Sequence, residues 1–170
     1  MSRPGTYDLI AEDEKLHRLR SAYLDGHWAA RNGAFHTMPS ENDLDRAFWD
    51  YLDFIQSIFN SGQFQEAELR CLKVGDDHLA SGYCRAAAYQ LAARCSAHAS
   101  SHTGGQELAL VYLRMAFRLC EEEVESALDY RRAGSVRAGN ECIRQIKSEI
   151  EESEMQQLAE EYARASINDR

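Results

Sequence analysis

Proline is nearly missing from this chain: its 170 residues include only Pro4 and Pro39. Proline lacks an amide donor and breaks helix interiors. Its scarcity leaves room for long helices and argues against an all-β fold with frequent turn punctuation. Positive charge is also in deficit, with 19 Lys and Arg against 28 Asp and Glu and a formal net charge of −9. A surface of that sign repels phosphate, which speaks against a general nucleic-acid binder and against adsorption to anionic membranes. Acidity of this kind serves solubility. No apolar run approaches the roughly eighteen residues of a membrane span. The first five residues, MSRPG, lead into polar sequence without the apolar core of a signal peptide. Cys71, Cys84, Cys95, Cys120 and Cys142 are odd in number, scattered, and never spaced as C-x-x-C. Most are set among apolar residues, so they read as reduced core thiols of a cytoplasmic protein.

What is present favours helix. A hydrophobic share of 44% and a charged share of 28% are those of a globular chain, and the length suits one helical domain over 1–170, with 1–11 expected to be a flexible N-terminus. Six helices are predicted. The first runs from Glu12 to Arg31, with Leu16, Leu19, Tyr23 and His27 on one face, and stops at Asn32-Gly33. The second is capped by Ser40, with Glu41 and Asp43 placing negative charge on the positive end of its dipole. Leu44, Phe48, Tyr51, Leu52, Ile55, Ile58 and Phe59 form its wide apolar stripe; Trp49 and Phe54 fall outside it, predicting neighbours on two sides. The third helix spans Phe64 to Val74. The fourth, Leu79 to Ala97, is rich in alanine and is predicted to be the most enclosed, because small side chains let helix axes approach. A polar loop over Ser96–Gly105 precedes the fifth helix, Gln106 to Tyr130, whose apolar residues include Leu108, Leu110, Val111, Leu113, Met115, Phe117 and Leu119. Gly134 and Gly139 mark a weak point over Arg131–Asn140. The last helix, Glu141 to Ala165, has Ile143, Ile146, Ile150, Leu158 and Tyr162 on one side and an acidic back.

Two stretches echo each other. Gly62 to Ala67 (GQFQEA) and Gly104 to Ala109 (GGQELA) both read glycine, four residues, alanine, and each follows one helix and opens another. A tight turn using glycine's freedom, then an alanine where two antiparallel helices touch, explains the pattern. Here the chain resembles the tetratricopeptide repeat over roughly Leu44 to Glu122. Phe64 stands near the repeat's aromatic position. Ala109, Leu113 and Ala116 match its alanine, bulky residue, alanine rhythm, with Ala67, Cys71 and Val74 as the looser counterparts. The copies stand 42 residues apart against a repeat period of about 34, and the extra length falls in the Ser96–Gly105 loop. The repeat's tryptophan and closing proline are absent. The fold expected is therefore all-α: an antiparallel array of about six helices, either a tetratricopeptide-like solenoid or an irregular helical bundle.

Residues that could carry chemistry are few. Cys95, His98 and His102 have C-x2-H-x3-H spacing, which would put three zinc ligands on one helical face, but no fourth ligand is evident. They are the leading metal candidate, Asp76-Asp77-His78 being the other set of possible ligands, and no cofactor is expected. Asp76 and Asp77 read as caps of the fourth helix and His17, His27 and His36 have no partner pattern. No nucleophile motif or phosphate-cradling loop occurs. Arg70, Lys73, Arg85, Arg94, Arg114 and Arg118 on the inner helices either pair with glutamates or line a groove that grips an acidic peptide.

The expected function is a scaffold, of adaptor, chaperone or inhibitor type, holding a protein or peptide partner without catalysis. The concave face of a helical solenoid suits that role, with Tyr51, Tyr83, Arg85, Tyr89 and Tyr112 expected to line it. A homo-oligomer that buries its apolar stripes against a second copy is the competing reading. A helical metal-dependent enzyme is the third.

Overall fold

The computed structural model describes residues 6–31, 39–99, 104–129, 131 and 133–168. It contains six helices: α1 (Thr6–Arg31), α2 (Glu41–Asn60), α3 (Phe64–Gly75), α4 (Gly82–Ala99), α5 (Gly104–Asp129) and α6 (Ala133–Asn168). No strand occurs among the described residues. Asn32-Gly33, His36 and His102 lie outside them. Side-chain contacts fix an antiparallel register along the array. Tyr23 and Asp13 of α1 meet Glu41 and Tyr51 of α2. Phe64 at the start of α3 stacks on His98 at the end of α4, while Gly75 at the end of α3 lies against Tyr89. Gly82 and Ser96 of α4 meet Glu123 and Gly105 of α5, and Ser153 of α6 meets Gln106. Each helix packs on its chain neighbours, and α4 also packs on α2.

Helix α2 follows its local signals. Ser40 Oγ accepts the Asp43 amide at 3.1 Å while Asp43 Oδ2 accepts the Ser40 amide at 3.1 Å, so Asp43 completes a capping box as well as complementing the dipole. Leu44, Phe48, Tyr51, Leu52, Ile55 and Ile58 are buried. Trp49 is exposed and Phe54 is half-buried against the core, and α2 meets α1, α3 and α4, so it has neighbours on more than one side as expected.

Helix α4 is the centre of the array. Cys84, Ala86, Ala88, Tyr89, Leu91, Ala92, Ala93, Cys95 and Ser96 are buried, as its small residues predict. It starts at Gly82 rather than Leu79, because Ser81 Oγ accepts the Cys84 amide at 3.3 Å and caps it there. Asp76 and Asp77 therefore do not cap α4: Asp76 is the C-cap residue of α3, and Asp77 takes the Leu79 amide and a two-pronged ion pair from Arg20 of α1. The helix also continues to Ala99, so Ser96 is not loop: it is buried, and its hydroxyl donates to the Gly105 carbonyl at 3.0 Å.

Both alanine-marked helices bury the residues of the echo, Ala67, Cys71 and Val74 in α3 and Ala109, Leu113 and Ala116 in α5. Their glycines differ. Gly62 has φ +83 and needs a glycine, whereas Gly104 is the first residue of α5, with open space where a side chain would go.

The two terminal helices are longer than their local patterns foretell. α1 begins at Thr6, ahead of Glu12. α6 begins at Ala133, so the expected weak point over Arg131–Asn140 is helical from Ala133 on and only Arg131, at φ 54, is a turn residue. Gly139 does not break the helix; it is buried, and a side chain there would collide with Val124 and the Tyr83 hydroxyl. The close approach of α6 to α5 and α4 outweighs glycine's low helix propensity.

Gly75 makes a similar approach, with an added Cβ falling 2.8 Å from two ring carbons of the buried Tyr89. Gly75→Ala is expected to cost about 1–3 kcal/mol by overpacking. Gly134→Ala, in α6, meets nothing within 4 Å and should stay within about 0.5 kcal/mol of wild type. Urea unfolding of both variants checks the contrast, and equal losses would contradict it.

Candidate functional site

The tyrosines expected to line a groove are placed as ties between helices. Tyr51, in α2, donates its hydroxyl to Asp13 in α1, and Asp13 also accepts from Arg70 of α3 at 2.9 and 3.1 Å. Three helices thus meet at one carboxylate. Tyr112 of α5 donates to Glu68 of α3 at 2.9 Å, Tyr89 of α4 to Asp76 after α3, and Tyr83 of α4 to the Ser135 carbonyl of α6 at 2.7 Å. Tyr51, Tyr89 and Tyr112 are buried and Tyr83 is half-buried. Burial, reinforced by the carboxylate that each faces, pushes the phenols of Tyr51 and Tyr112 well above the usual range and that of Tyr89 up to about 12. Only Arg85 and Tyr89 of the five border the same cleft; Tyr51 borders another, between α1 and α2, with Leu16 and Leu19.

The first of these clefts, between α4 and α5, encloses about 510 Å³. Arg85 and Tyr89 of α4 line it on one side and α5 on the other, and His78 also borders it. Two periodic features of α5 meet there. Val111, Met115 and Leu119 recur every four residues as an apolar stripe; Arg114, Arg118 and Glu122 recur beside it at the same spacing. The opposite side of α5 buries Ala109, Leu113, Ala116 and Cys120 against its neighbours. Leu108, Val111 and Met115 remain 40%, 48% and 41% exposed, so α5 has one more apolar face than its contacts use.

Most of the arginines of α3, α4 and α5 are satisfied among the described residues. Arg70 pairs with Asp13 and Glu66, Arg94 with Glu149, and Arg114 with Glu154 across a 3.4 Å gap. Arg85 donates to the Gly75 carbonyl at 2.7 Å, at the negative end of α3. Arg118 is exposed and has no ion pair among the described residues. With Glu122 as the only acid in its lining, the cleft is a cationic, half-apolar site on an anionic protein. Such a surface pairs guanidinium groups with carboxylates while covering aliphatic side chains.

Of these residues, Arg85 and Tyr89 were foreseen as site residues and Arg114 and Arg118 as candidates for an acidic-peptide groove; His78, Val111, Met115 and Leu119 were not. The available signal was the excess of apolar residues in α5, too many for one face.

Of the zinc candidates, Cys95 and His98 are described and make other contacts, and His102 lies outside the described residues. Cys95 is buried against Cys71 of α3, and hydrogen bonding to Cys95 with burial pushes the Cys71 thiol up. The His98 ring is exposed, stacked on Phe64 at 5.3 Å and edge-on to Phe59 at 5.4 Å. No group of metal-holding side chains occurs among the described residues. Burial pushes the Cys84 and Cys120 thiols up to about 12, away from a reactive thiolate. No described helix is long and apolar enough to cross a membrane. No protein-family model matches the chain, and no curated protein or solved structure is significantly similar to it.

Proposed function

We propose that this protein is an interaction scaffold whose α4–α5 cleft takes an acidic segment of a protein partner, one with apolar side chains along one face. The observation that carries this reading is the combination of unpaired Arg118 with the exposed Val111–Met115 stripe, in a chain of net charge −9. An exposed apolar patch rimmed by charge is a surface that association covers. Like charge over the rest of the surface would direct an acidic partner to this cationic cleft. The tetratricopeptide resemblance supports a binding role: the rhythm residues of α3 and α5 are buried alike, and α4 packs on α2 as alternate helices of a solenoid do. The five free thiols support a reducing compartment, and we place the protein in the cytoplasm.

The test is affinity capture at moderate salt with three baits: wild type, Arg118→Glu and Met115→Glu. One protein retained at fixed stoichiometry by wild type, and lost from both variants, is the expected result. Identical retention by all three baits would remove the cleft from the binding surface. Both substitutions lie on exposed positions, so the fold is expected to persist; circular dichroism checks it.

A further inference from the structure

The structure assigns the α4–α5 cleft a specific occupant, the distal end of α6 from a second copy of the chain; this rests on the reading of that cleft as a docking groove. α6 runs back along α5 from Gly139 against Val124 to Ser153 beside Gln106, which is near the start of α5. Helix α6 nevertheless continues to Asn168, roughly another 20 Å at the helical rise. On that extension Met155, Leu158 and Tyr162 are 67%, 50% and 75% exposed. Their three- and four-residue steps put them on one face of the helix.

Charge identifies what covers this stripe. From Glu149 to Glu161 the helix carries six glutamates and no lysine or arginine; Glu149, Glu154 and Glu160 pair with Arg94, Arg114 and Arg164 of the same chain, which leaves Glu151, Glu152 and Glu161 without an ion pair among the described residues. The cleft offers the reverse: Arg118, without an ion pair among the described residues, stands beside Val111 and Met115, with Arg85 held by the Gly75 carbonyl and Arg114 by Glu154 on its border. Both surfaces therefore combine an apolar stripe with a charged border, and the borders have opposite sign. A chain cannot fill its own cleft without breaking α6. The helix packs on the side of α5 that carries Gln106, Ala109 and Leu113, whereas the cleft is on the side that carries Val111, Met115 and Arg118. Exchange of the α6 ends between two copies satisfies both surfaces at once and closes as a two-fold dimer, each copy donating one helix and receiving one.

Sedimentation velocity of the full chain across a range of concentrations tests this, with circular dichroism to verify folding. A reversible dimer is expected for wild type, and Arg118→Glu and Tyr162→Glu should each weaken it by about tenfold or more. Glu160→Arg/Glu161→Arg should do the same. Mixing that double variant with Arg118→Glu should restore a dimer of unlike chains, because each cleft then faces an end of opposite charge. A wild-type monomer at all concentrations overturns the proposal, as does a dimer indifferent to Arg118→Glu and Tyr162→Glu. A monomer that still captures a partner through Arg118 removes only the second copy as occupant. A monomer whose capture is equally indifferent to Arg118 removes the docking cleft itself.

Discussion

Tyr89→Ala is expected to lower folding stability by about 3–5 kcal/mol, the range for emptying a large aromatic from a packed interior. Tyr89 is 2% exposed, its ring lies against the Gly75 backbone and 6.3 Å from the ring of Tyr112, and its hydroxyl ties α4 to Asp76 at the end of α3. Alanine would leave a void where α3, α4 and α5 converge. Tyr89→Phe keeps the ring and loses only the hydrogen bond, at a cost of about 1 kcal/mol. The same residue predicts a pH dependence. Burial first and the Asp76 bond second raise its pKa to about 12 in the folded state, against about 10 in an unfolded chain. Because the folded value is the higher, the contribution is complete below pH ~10 and is lost as pH rises through about 12. Tyr51 and Tyr112 shift in the same direction. Urea midpoints measured from pH 9 to 12 should therefore fall steeply for wild type and less steeply for Tyr89→Phe. Parallel curves, or an alanine variant as stable as wild type, would refute this placement of Tyr89. Loss of binding on Tyr89→Ala would not identify a groove residue, since the fold itself is at stake; Arg118, on the surface, separates binding from folding.

Ile146→Ala should have the second large effect, about 2–5 kcal/mol. Ile146 is the fully buried large side chain of α6, flanked by the half-buried Cys142, Ile143 and Ile150. Most of the rest of α6 is exposed, so its attachment is concentrated in this short stretch. Hydrogen exchange should show the α6 amides losing protection in the variant while those of α4, packed against α2, α3 and α5, keep theirs. Leu158→Ala, on the overhanging end, should alter the stability of the monomer by less than about 0.5 kcal/mol. If the two substitutions cost the same, the division of α6 into an anchored and a projecting part is wrong.

Sequence by itself determined the helical class, the number of helices and much of their inward faces. Those signals are local: a Ser40 cap read by the first turn of α2, an apolar stripe at three-four spacing, alanines along α4, a glycine at Gly62 where φ is positive. Each depends on residues within a turn of one another, so it is legible without the fold. Tertiary structure alone decided the rest. Gly139 reads locally as a break, yet it sits inside a helix because Tyr83 and Val124 leave room for nothing larger. The tyrosines read as groove anchors, and acceptors outside their own helices, Asp13, Glu68, Asp76 and Ser135, also make them cross-links. Arg118 is singled out among the arginines only once its neighbours have found their carboxylates, and Met115 only once α5 has spent its other faces on α4 and α6. Residues left over after packing can be recognised only when the packing partners, distant in the chain, are known.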